Sequence, residues 1–213
     1  MTGQTTKPDI IKPWSPPNGI ERLAGVDEVG RGPLAGDVVT AAVVLPRKHH
    51  IEGLADSKTL SERQRENLFV EIVGQAEDWC VARASIEEID RYNILQATLM
   101  AMRRAVMGLR KRPDFVAVDG NRLPPWEFAS EAVVKGDARV EAISAAAILA
   151  KVTRDREMRE MDKKYPGYGF SGNKGYGTAQ HLEALQRIGP SPIHRKSFSP
   201  VKESLQLEQN DLF

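Results

Sequence analysis

The sequence predicts an α/β domain in which a mixed β-sheet is flanked by helices on both sides. Three apolar, strand-like segments come early in the chain, and later strands alternate with helical segments. The run ISAAAILA opens a long helical segment over residues 138–164 and is small and apolar nearly all round, as in a helix buried against a sheet. This order of elements is typical of layered α/β architecture.

Length and composition fit one domain, or one domain with a small C-terminal addition. The chain has 213 residues, 41% of them apolar, and a net charge of +1 that implies no partner by itself. The single cysteine, Cys80, excludes an intrachain disulfide framework and fits a reducing compartment. No apolar run approaches ~20 residues, and residues 1–19 lack a signal-peptide core. We therefore expect a soluble, cytoplasmic protein without a membrane span.

The elements are predicted in chain order from apolar periodicity and capping signals. Residues 1–19 carry four prolines and are predicted to be a disordered tail. Ser61 and Ser85 are predicted N-caps, a second helical stretch starts at Asn93, and the charged half of the long helix is expected to emerge into solvent. Strands are predicted over 22–29, 37–45, 78–85, 115–118 and around 133–134, the first two as a hairpin, and helices over 61–74, 85–110, 138–164 and 181–188.

Two adjacent carboxylates, Asp27 and Glu28, end the first predicted strand. Neighbouring side chains of a strand point to opposite faces, so one of the two must point inward if both faces are covered. An unpaired buried carboxylate is costly, and a divalent cation is one remedy. A salt bridge to Arg22 or Arg31 is the alternative, and this stretch alone leaves both open.

The turn that follows, Gly30-Arg31-Gly32-Pro33, has two possible uses. Its glycines leave backbone N–H groups uncovered, and such turns can cradle phosphate or sugar oxygens. A tight hairpin turn with no ligand fits equally well. A dinucleotide site is excluded, because the segment is not a GxGxxG fingerprint and no long helix follows it.

Two later carboxylates also stand at strand ends. Asp119 follows a short apolar strand and precedes a glycine, where a turn residue is the alternative. Asp137 precedes the long helix, where an ordinary N-cap is the alternative. With Asp27 and Glu28 they make an oxygen-rich set suited to Mg²⁺ or Mn²⁺, and the histidines and Cys80 show no zinc-ligand spacing.

Seven motifs in order then resemble one family. GVDEVGRGPLAG, DSK at 56–58, VAVDG, KGD, ISAAAILAKVTRD, KGYGT and HRKSFSPV are similar to the motifs of bacterial ribonuclease HII, the type 2 ribonuclease H, and span about residues 22–201. The resemblance implies a ribonuclease H-like mixed sheet flanked by helices, with a small C-terminal helical extension. It divides the chain into a tail (1–19), a catalytic domain (20–165), a substrate-contacting extension (166–202) and a flexible tail (203–213).

The resemblance also implies an activity. It predicts a metal-dependent endoribonuclease that hydrolyses the RNA strand of RNA–DNA hybrids and cuts at ribonucleotides embedded in duplex DNA. A two-metal mechanism with Mn²⁺ or Mg²⁺ would leave 5′-phosphate and 3′-hydroxyl ends. By the same resemblance, Asp27, Glu28, Asp119 and Asp137 are the metal-binding catalytic carboxylates.

Substrate contacts are implied in the same way. Gly30, Arg31 and Gly32 match the segment that reads the ribose 2′-hydroxyl through its backbone, and Tyr176 matches a tyrosine that packs on the sugar. A core aromatic is the alternative for Tyr176. The candidates for phosphate contact, for each of which a solvated surface charge is the alternative, are Lys58, Lys151, Lys174, Arg195 and Lys196.

Two other functions and one partner stay open. A DNA endonuclease or strand-transfer enzyme of the same fold would use the same acids, and a non-catalytic hybrid-binding protein would salt-bridge them. The last five residues, QNDLF, resemble the motif by which bacterial repair proteins bind the sliding clamp, with Gln209, Leu212 and Phe213 as contacts. A disordered tail is the alternative, and we expect a monomer.

Overall fold

A single mixed sheet organises the part of the chain that the computed structural model describes, residues 14–210, with side chains described to residue 206. Its strand order is β3-β2-β1-β4-β5. β1 pairs antiparallel with β2, as the predicted hairpin requires, and parallel with β4. The strands are β1 (Leu23–Val29), β2 (Val38–Val44), β3 (Asp78–Ala84), β4 (Phe115–Asp119) and β5 (Ser130–Val133).

Two helices begin where the capping signals predict. The side chains of Ser61 and Ser85 each accept a hydrogen bond from the backbone N–H three residues later. In return, the side chains of Gln64 and Glu88 accept a hydrogen bond from the backbone N–H of the capping serine. Asn93 has non-helical dihedral angles, which confirms the predicted break. The helices are α1 (Glu62–Gln75), α2 (Ile86–Met107), α3 (Glu141–Lys164), α4 (Phe170–Asn173), α5 (Ala179–Ile188) and α6 (Ser199–Asn210), with a 3₁₀ turn at Gly136–Ala138.

The two faces of the sheet bury different helices. Alternate residues of β2 explain this arrangement, because Val43 packs in the cluster of α1 and α3 whereas Ala42 packs in the cluster of α2. The predicted mixed sheet with helices on both sides is confirmed. Among the described residues, no helix combines the length and apolar character needed to cross a membrane.

Gly25 allows α3 to lie directly on β1. A Cβ atom at this position would overlap the backbone of Ala142 and Ile143 in the first turn of α3. Only glycine leaves room for so close an approach of a helix backbone to a strand. This contact brings the start of α3, and the 3₁₀ turn before it, close to β1.

The polar half of α3 is not wholly solvated, contrary to prediction. Arg154, Asp155 and Met158 are buried. The cause is the chain after α3, since Met158 packs against Tyr168 and Phe170 in a cluster of its own. Packing by a later segment cannot be inferred from the composition of the helix itself.

Several boundaries also differ from prediction. α3 begins at Glu141 and α5 at Ala179, not at 138 and 181. β5 occupies Ser130–Val133, and Val134 is exposed beyond it. Trp14, in the predicted tail, packs beside Phe115. From residue 203 onward a flexible tail was expected, but α6 continues to Asn210, and Val201 and Leu205, four residues apart, pack with Leu185.

Candidate active site

Two parallel strands place Asp27 and Asp119 side by side. Val26 of β1 is paired with Val118 of β4, and each carboxylate is the next residue along its strand. β5 runs parallel to β4 and leads into the 3₁₀ turn that carries Asp137. The carboxyl ends of parallel strands meet at one edge of a sheet, so the structure brings these three residues together there.

Asp119 is held by a backbone donor from the next strand connection. Its Oδ1 accepts a hydrogen bond from the N–H of Gly136 at 2.7 Å. A Cβ atom at residue 136 would lie 3.3 Å from the same oxygen and would overlap Ile143. Steric crowding therefore explains why the KGD motif has a glycine at position 136. The turn fixes the Asp119 carboxylate next to Asp137.

Burial and mutual repulsion raise the proton affinity of this cluster. Asp27 is buried, and burial first, then the charges of Glu28 and Asp119, raises its pKa well above the usual range. Burial also raises the pKa of Glu28, although Arg31 opposes the rise. For Asp137 the pKa is raised by burial and by the charges of Asp119 and of a fifth carboxylate, Asp56.

Two cations offer only partial compensation. Arg31 Nη1 lies 3.5 Å from Glu28 Oε1, so the salt-bridge alternative is realised for this residue. Lys58 Nζ lies 4.0 Å from Asp137 Oδ2, and its side chain is 82% exposed. Arg22, the other alternative partner, pairs with Glu77 and Asp78 instead.

The chemistry of this donor set fits a hard divalent cation. Oxygen ligands that repel one another in a partly buried site gain most from a bound Mg²⁺ or Mn²⁺. Within residues 14–206, however, no group of three or more His, Cys, Asp or Glu side chains is already arranged to hold one metal ion. Side-chain rotation of the carboxylates would have to accompany binding of a metal ion.

Buried Arg195 builds the turn at Gly30–Gly32. Its guanidinium donates to the carbonyl oxygens of Gly30 (2.5 Å), Arg31 (3.0 Å), Pro33 (2.7 Å) and Gly36 (2.6 and 2.9 Å). The prediction of a phosphate contact for Arg195 is wrong, because every one of its donors is used inside the protein. A guanidinium has five N–H donors in a planar fork, which suits convergent carbonyl groups.

Two backbone N–H groups of the same turn, unlike the carbonyl groups that Arg195 contacts, are not hydrogen-bonded to any described residue. In the described part of the chain, the backbone N–H groups of Arg31 and Gly32 donate to no acceptor. The carbonyl groups of Gly30 and Arg31 are thus bonded internally, whereas the N–H groups of Arg31 and Gly32 are left for a ligand.

Tyr176 lies over this turn. Its side chain is 46% exposed, and a Cβ atom on Gly32 would be 3.4 Å from its Cε1. The preceding Gly175 has a positive φ, and a Cβ there would be 2.7 Å from the carbonyl oxygen of Ala35. The aromatic ring is therefore presented at the surface, which excludes the core-aromatic alternative.

The predicted phosphate-contacting lysines differ in their surroundings. Lys58 is exposed beside the carboxylates. Lys151 Nζ pairs with Asp155 at 2.5 and 2.7 Å, and Lys174 Nζ donates to the carbonyl of Ser171. Lys196 is exposed, and its backbone N–H bonds to Asp90. Of the predicted clamp contacts, Gln209 lies in α6 with its side chain outside the described part, and Leu212 and Phe213 lie outside the described residues.

Three buried polar residues near the turn, Arg154, His181 and His194, were missed by sequence reasoning. Arg154 donates to the carbonyls of Ala35, Asp37 and Lys174. The rings of His181 and His194 touch through their Nε2 atoms. A usable signal was the glycine-rich segment 30–36, because buried carbonyl groups outside a sheet need donors from elsewhere in the chain.

Comparison with known proteins finds one family. A family model described as Ribonuclease HII matches residues 24–201. Ribonuclease HII of Paracidovorax citrulli is 60% identical over 91% of this chain and 80% of its own length. Ribonuclease HII of Vibrio campbellii is 55% identical over 97% of this chain and 98% of its own length.

Solved structures share the fold. Ribonuclease H2 from Pyrococcus horikoshii is 30% identical, with a TM-score of 0.76 over 88% of this chain and 99% of that one. Two more distant structures show the fold alone: Bst-RNase HIII in complex with Mn²⁺ (18%, TM-score 0.67, 90% and 71% covered) and the PCNA:RNase HII complex from Archaeoglobus fulgidus (24%, TM-score 0.64, 84% and 95% covered). The chain belongs to the ribonuclease HII family, with its ribonuclease H-like fold, and is a nuclease that hydrolyses RNA.

Proposed function

We propose that this enzyme hydrolyses the RNA strand of RNA–DNA hybrids and incises duplex DNA at embedded ribonucleotides, leaving 5′-phosphate and 3′-hydroxyl ends. One observation carries the proposal: the Gly30–Gly32 turn, with open N–H groups and the Tyr176 ring above it, starts one residue after the acidic pair Asp27-Glu28. A group that can recognise ribose is thus joined to a group that can support hydrolysis.

Recognition of ribose would come from the backbone of the turn. The N–H groups of Arg31 and Gly32 are available as donors to a 2′-hydroxyl oxygen. DNA lacks this oxygen, so only a ribonucleotide would satisfy them. Tyr176 would pack its ring on the sugar at the junction and hold it against Gly32.

The hydrolytic part rests on the carboxylates. Asp27, Glu28, Asp119 and Asp137 would hold Mn²⁺ or Mg²⁺, in a two-metal arrangement that supplies an activated water and stabilises the leaving 3′-oxygen. Gly136 orients the Asp119 carboxylate through its N–H. The presence of Mn²⁺ in the structure of Bst-RNase HIII, which shares the fold, supports this choice of metal.

Contacts to the phosphate backbone would come first from Lys58. Its ammonium group is exposed and lies beside Asp137, where the scissile phosphate would be held. Lys151 and Lys174 remain predicted phosphate contacts, although each would have to exchange an internal partner for the phosphate.

The test compares three matched duplexes in the presence of Mn²⁺ or Mg²⁺: all-DNA, DNA with a single ribonucleotide, and a long RNA–DNA hybrid. We expect cleavage of the last two, with the cut at the ribonucleotide mapped by end labelling and the end groups identified. Cleavage of the all-DNA duplex at a similar rate would favour the DNA endonuclease alternative. Cleavage of the hybrid but not of the single-ribonucleotide duplex would restrict the function to hybrids.

We propose the sliding clamp as a partner of the C-terminal segment. The observation that favours it is the PCNA:RNase HII complex from Archaeoglobus fulgidus, a pairing of a relative with a clamp. Gln209, Leu212 and Phe213 would make the contact. Two apolar anchors contribute roughly 3–6 kcal/mol before the ordering of the segment is subtracted, so a micromolar affinity is expected.

A further inference from the structure

Two neighbouring residues, His194 and Arg195, reach the two parts of the proposed ribose site separately. The Arg195 guanidinium contacts the carbonyl groups of the turn at residues 30–36, as described above. His194 reaches Tyr176 through one other side chain, His181. Both His194 and Arg195 are buried, so neither is available to touch a substrate.

The hydrogen bonds of the two histidines have a defined direction. The backbone N–H of Ser191 donates to His194 Nδ1 at 2.9 Å, so that nitrogen is an acceptor. His194 therefore carries its hydrogen on Nε2 and donates it to His181 Nε2, 2.9 Å away. His181 in turn carries its hydrogen on Nδ1 and donates it to the carbonyl oxygen of Tyr176 at 2.9 Å. This relay links the segment before Arg195 to the backbone of Tyr176.

Main-chain hydrogen bonds tie the same segments together. Arg195 N–H donates to the carbonyl of Leu34, and Gly36 N–H donates to that of Ile193, each at 2.8 Å. Leu34 N–H donates to the carbonyl of Gly175, also at 2.8 Å. Residues 34–36 are thus bonded on one side to the segment before Tyr176 and on the other to the segment that carries His194.

From this geometry we propose that His194 and Arg195 are positioning residues that together set the Tyr176 ring over Gly32. Arg195 fixes the position and orientation of the turn by donating hydrogen bonds to the carbonyl oxygens of the turn. His194 fixes the Tyr176 backbone through His181. The inference rests on the proposed ribose contact of Tyr176 and adds the residues that determine where the ring stands.

A double-mutant cycle with Tyr176 tests whether His194 acts through the ring. His194→Asn keeps an oxygen that can accept from Ser191 N–H but is too short to reach His181. On a duplex with one ribonucleotide we expect it to lower kcat/KM about tenfold, and less than about twofold when Tyr176→Ala is already present. His194→Gln, whose longer amide can donate toward His181, should retain more activity than the Asn variant.

Arg195→Lys tests the other half and keeps the positive charge without the planar fork. We expect a larger loss of kcat/KM on the single-ribonucleotide duplex than on a long hybrid. Ser204→Ala is the matched control, since it removes a buried hydrogen bond to the Leu185 carbonyl in the same C-terminal region. Melting temperatures of all variants separate destabilisation from misplacement.

Two results would overturn the positioning role and leave the proposed ribose contact of Tyr176 intact. One is a loss by His194→Asn that is equally large with and without the Tyr176 ring. The other is an Arg195→Lys variant with the same substrate ratio as Ser204→Ala. Wild-type cleavage of the single-ribonucleotide duplex by Tyr176→Ala would instead refute the proposed ribose contact, and the inference with it.

Discussion

The Nε2 atoms of His181 and His194 lie 2.9 Å apart inside the protein, and one hydrogen lies between them. Both rings are buried, and the aromatic rings of Tyr168 and Phe170 lie beside them. Burial lowers the pKa of both histidines, and the proximity of His181 helps to lower that of His194 to about 4. The folded protein therefore holds a neutral pair where an unfolded chain would hold two ordinary histidines.

This pair predicts a loss of stability in mild acid. The unfolded chain binds protons at these residues as pH falls below 6.5, the ordinary value, whereas folded His194 takes its proton only near pH 4. Because the unfolded state binds more protons in this window, stability is full above it and declines as pH falls through it, by on the order of 3 kcal/mol for His194.

Denaturant unfolding at several pH values between 4 and 7 measures this decline. The double variant His181→Asn, His194→Asn is the control, since it shares all carboxylates with the wild type. We expect the wild type to lose more stability than the variant between pH 6.5 and 4. Parallel pH profiles for the two proteins would show that the histidine pair does not cause the loss of stability in acid.

Asp27→Asn and Asp119→Asn should each abolish cleavage while leaving hybrid binding largely intact. An amide is a poorer ligand for a hard cation than a carboxylate. Asp27→Asn should also raise the melting temperature without metal, because it removes a buried charge from a repelling cluster. Added Mn²⁺ should raise the melting temperature of the wild type more than that of either variant. Wild-type turnover by a folded variant would remove these residues from the metal site.

Tyr176→Ala should reduce kcat/KM for a single-ribonucleotide duplex more than for a long hybrid. A lone ribose offers one 2′-hydroxyl in one register, whereas a hybrid offers many. The measurement is both kcat/KM values from the same protein preparation. Equal losses on the two substrates would show that the exposed ring has a structural role only.

Gly25→Ala should destabilise the fold strongly, because the added methyl group would overlap the backbone of α3 at Ala142. A shift of α3 away from β1 would cost several kcal/mol, on the scale of severe overpacking. Gly74→Ala is the matched control, since a Cβ there meets nothing within 4 Å and the residue lies in α1. Alanine should stabilise that helix by up to about 1 kcal/mol. Similar melting temperatures for both variants would contradict the close-approach argument.

A peptide of residues 203–213 should bind the sliding clamp of the same organism with micromolar affinity. Leu212 and Phe213 would fill an apolar pocket, and Gln209 would bond at its edge. Titration of the peptide against the clamp, beside a Leu212→Ala, Phe213→Ala peptide, measures this contact. No binding at high micromolar concentration, or equal binding by the control peptide, would exclude the segment as a clamp ligand.

The sequence by itself predicted the mixed sheet, the capped starts of α1 and α2 and a set of carboxylates at strand ends. These features follow from local signals: apolar strands that end in a carboxylate, and serine caps with an acceptor three residues on, as at Ser61 and Ser85. Asp27 and Asp119 were each predicted at the end of an apolar strand, where ligands of α/β sheets gather, but only the structure showed that their two strands are parallel neighbours. The ordered motifs then indicated the family, which the comparisons confirm.

Only the tertiary structure decided the roles of Arg195, Arg154, His181 and His194. From the sequence, an arginine in a motif is interpreted as a surface charge. Nothing local in the sequence shows that the carbonyl groups of residues 30–36 need the donors of Arg195. Likewise His181 and His194 are thirteen positions apart and carry no metal-ligand spacing, yet their rings meet in the core. Such pairings depend on which buried polar groups lack partners once the chain is packed, a property of the whole fold and not of any local pattern.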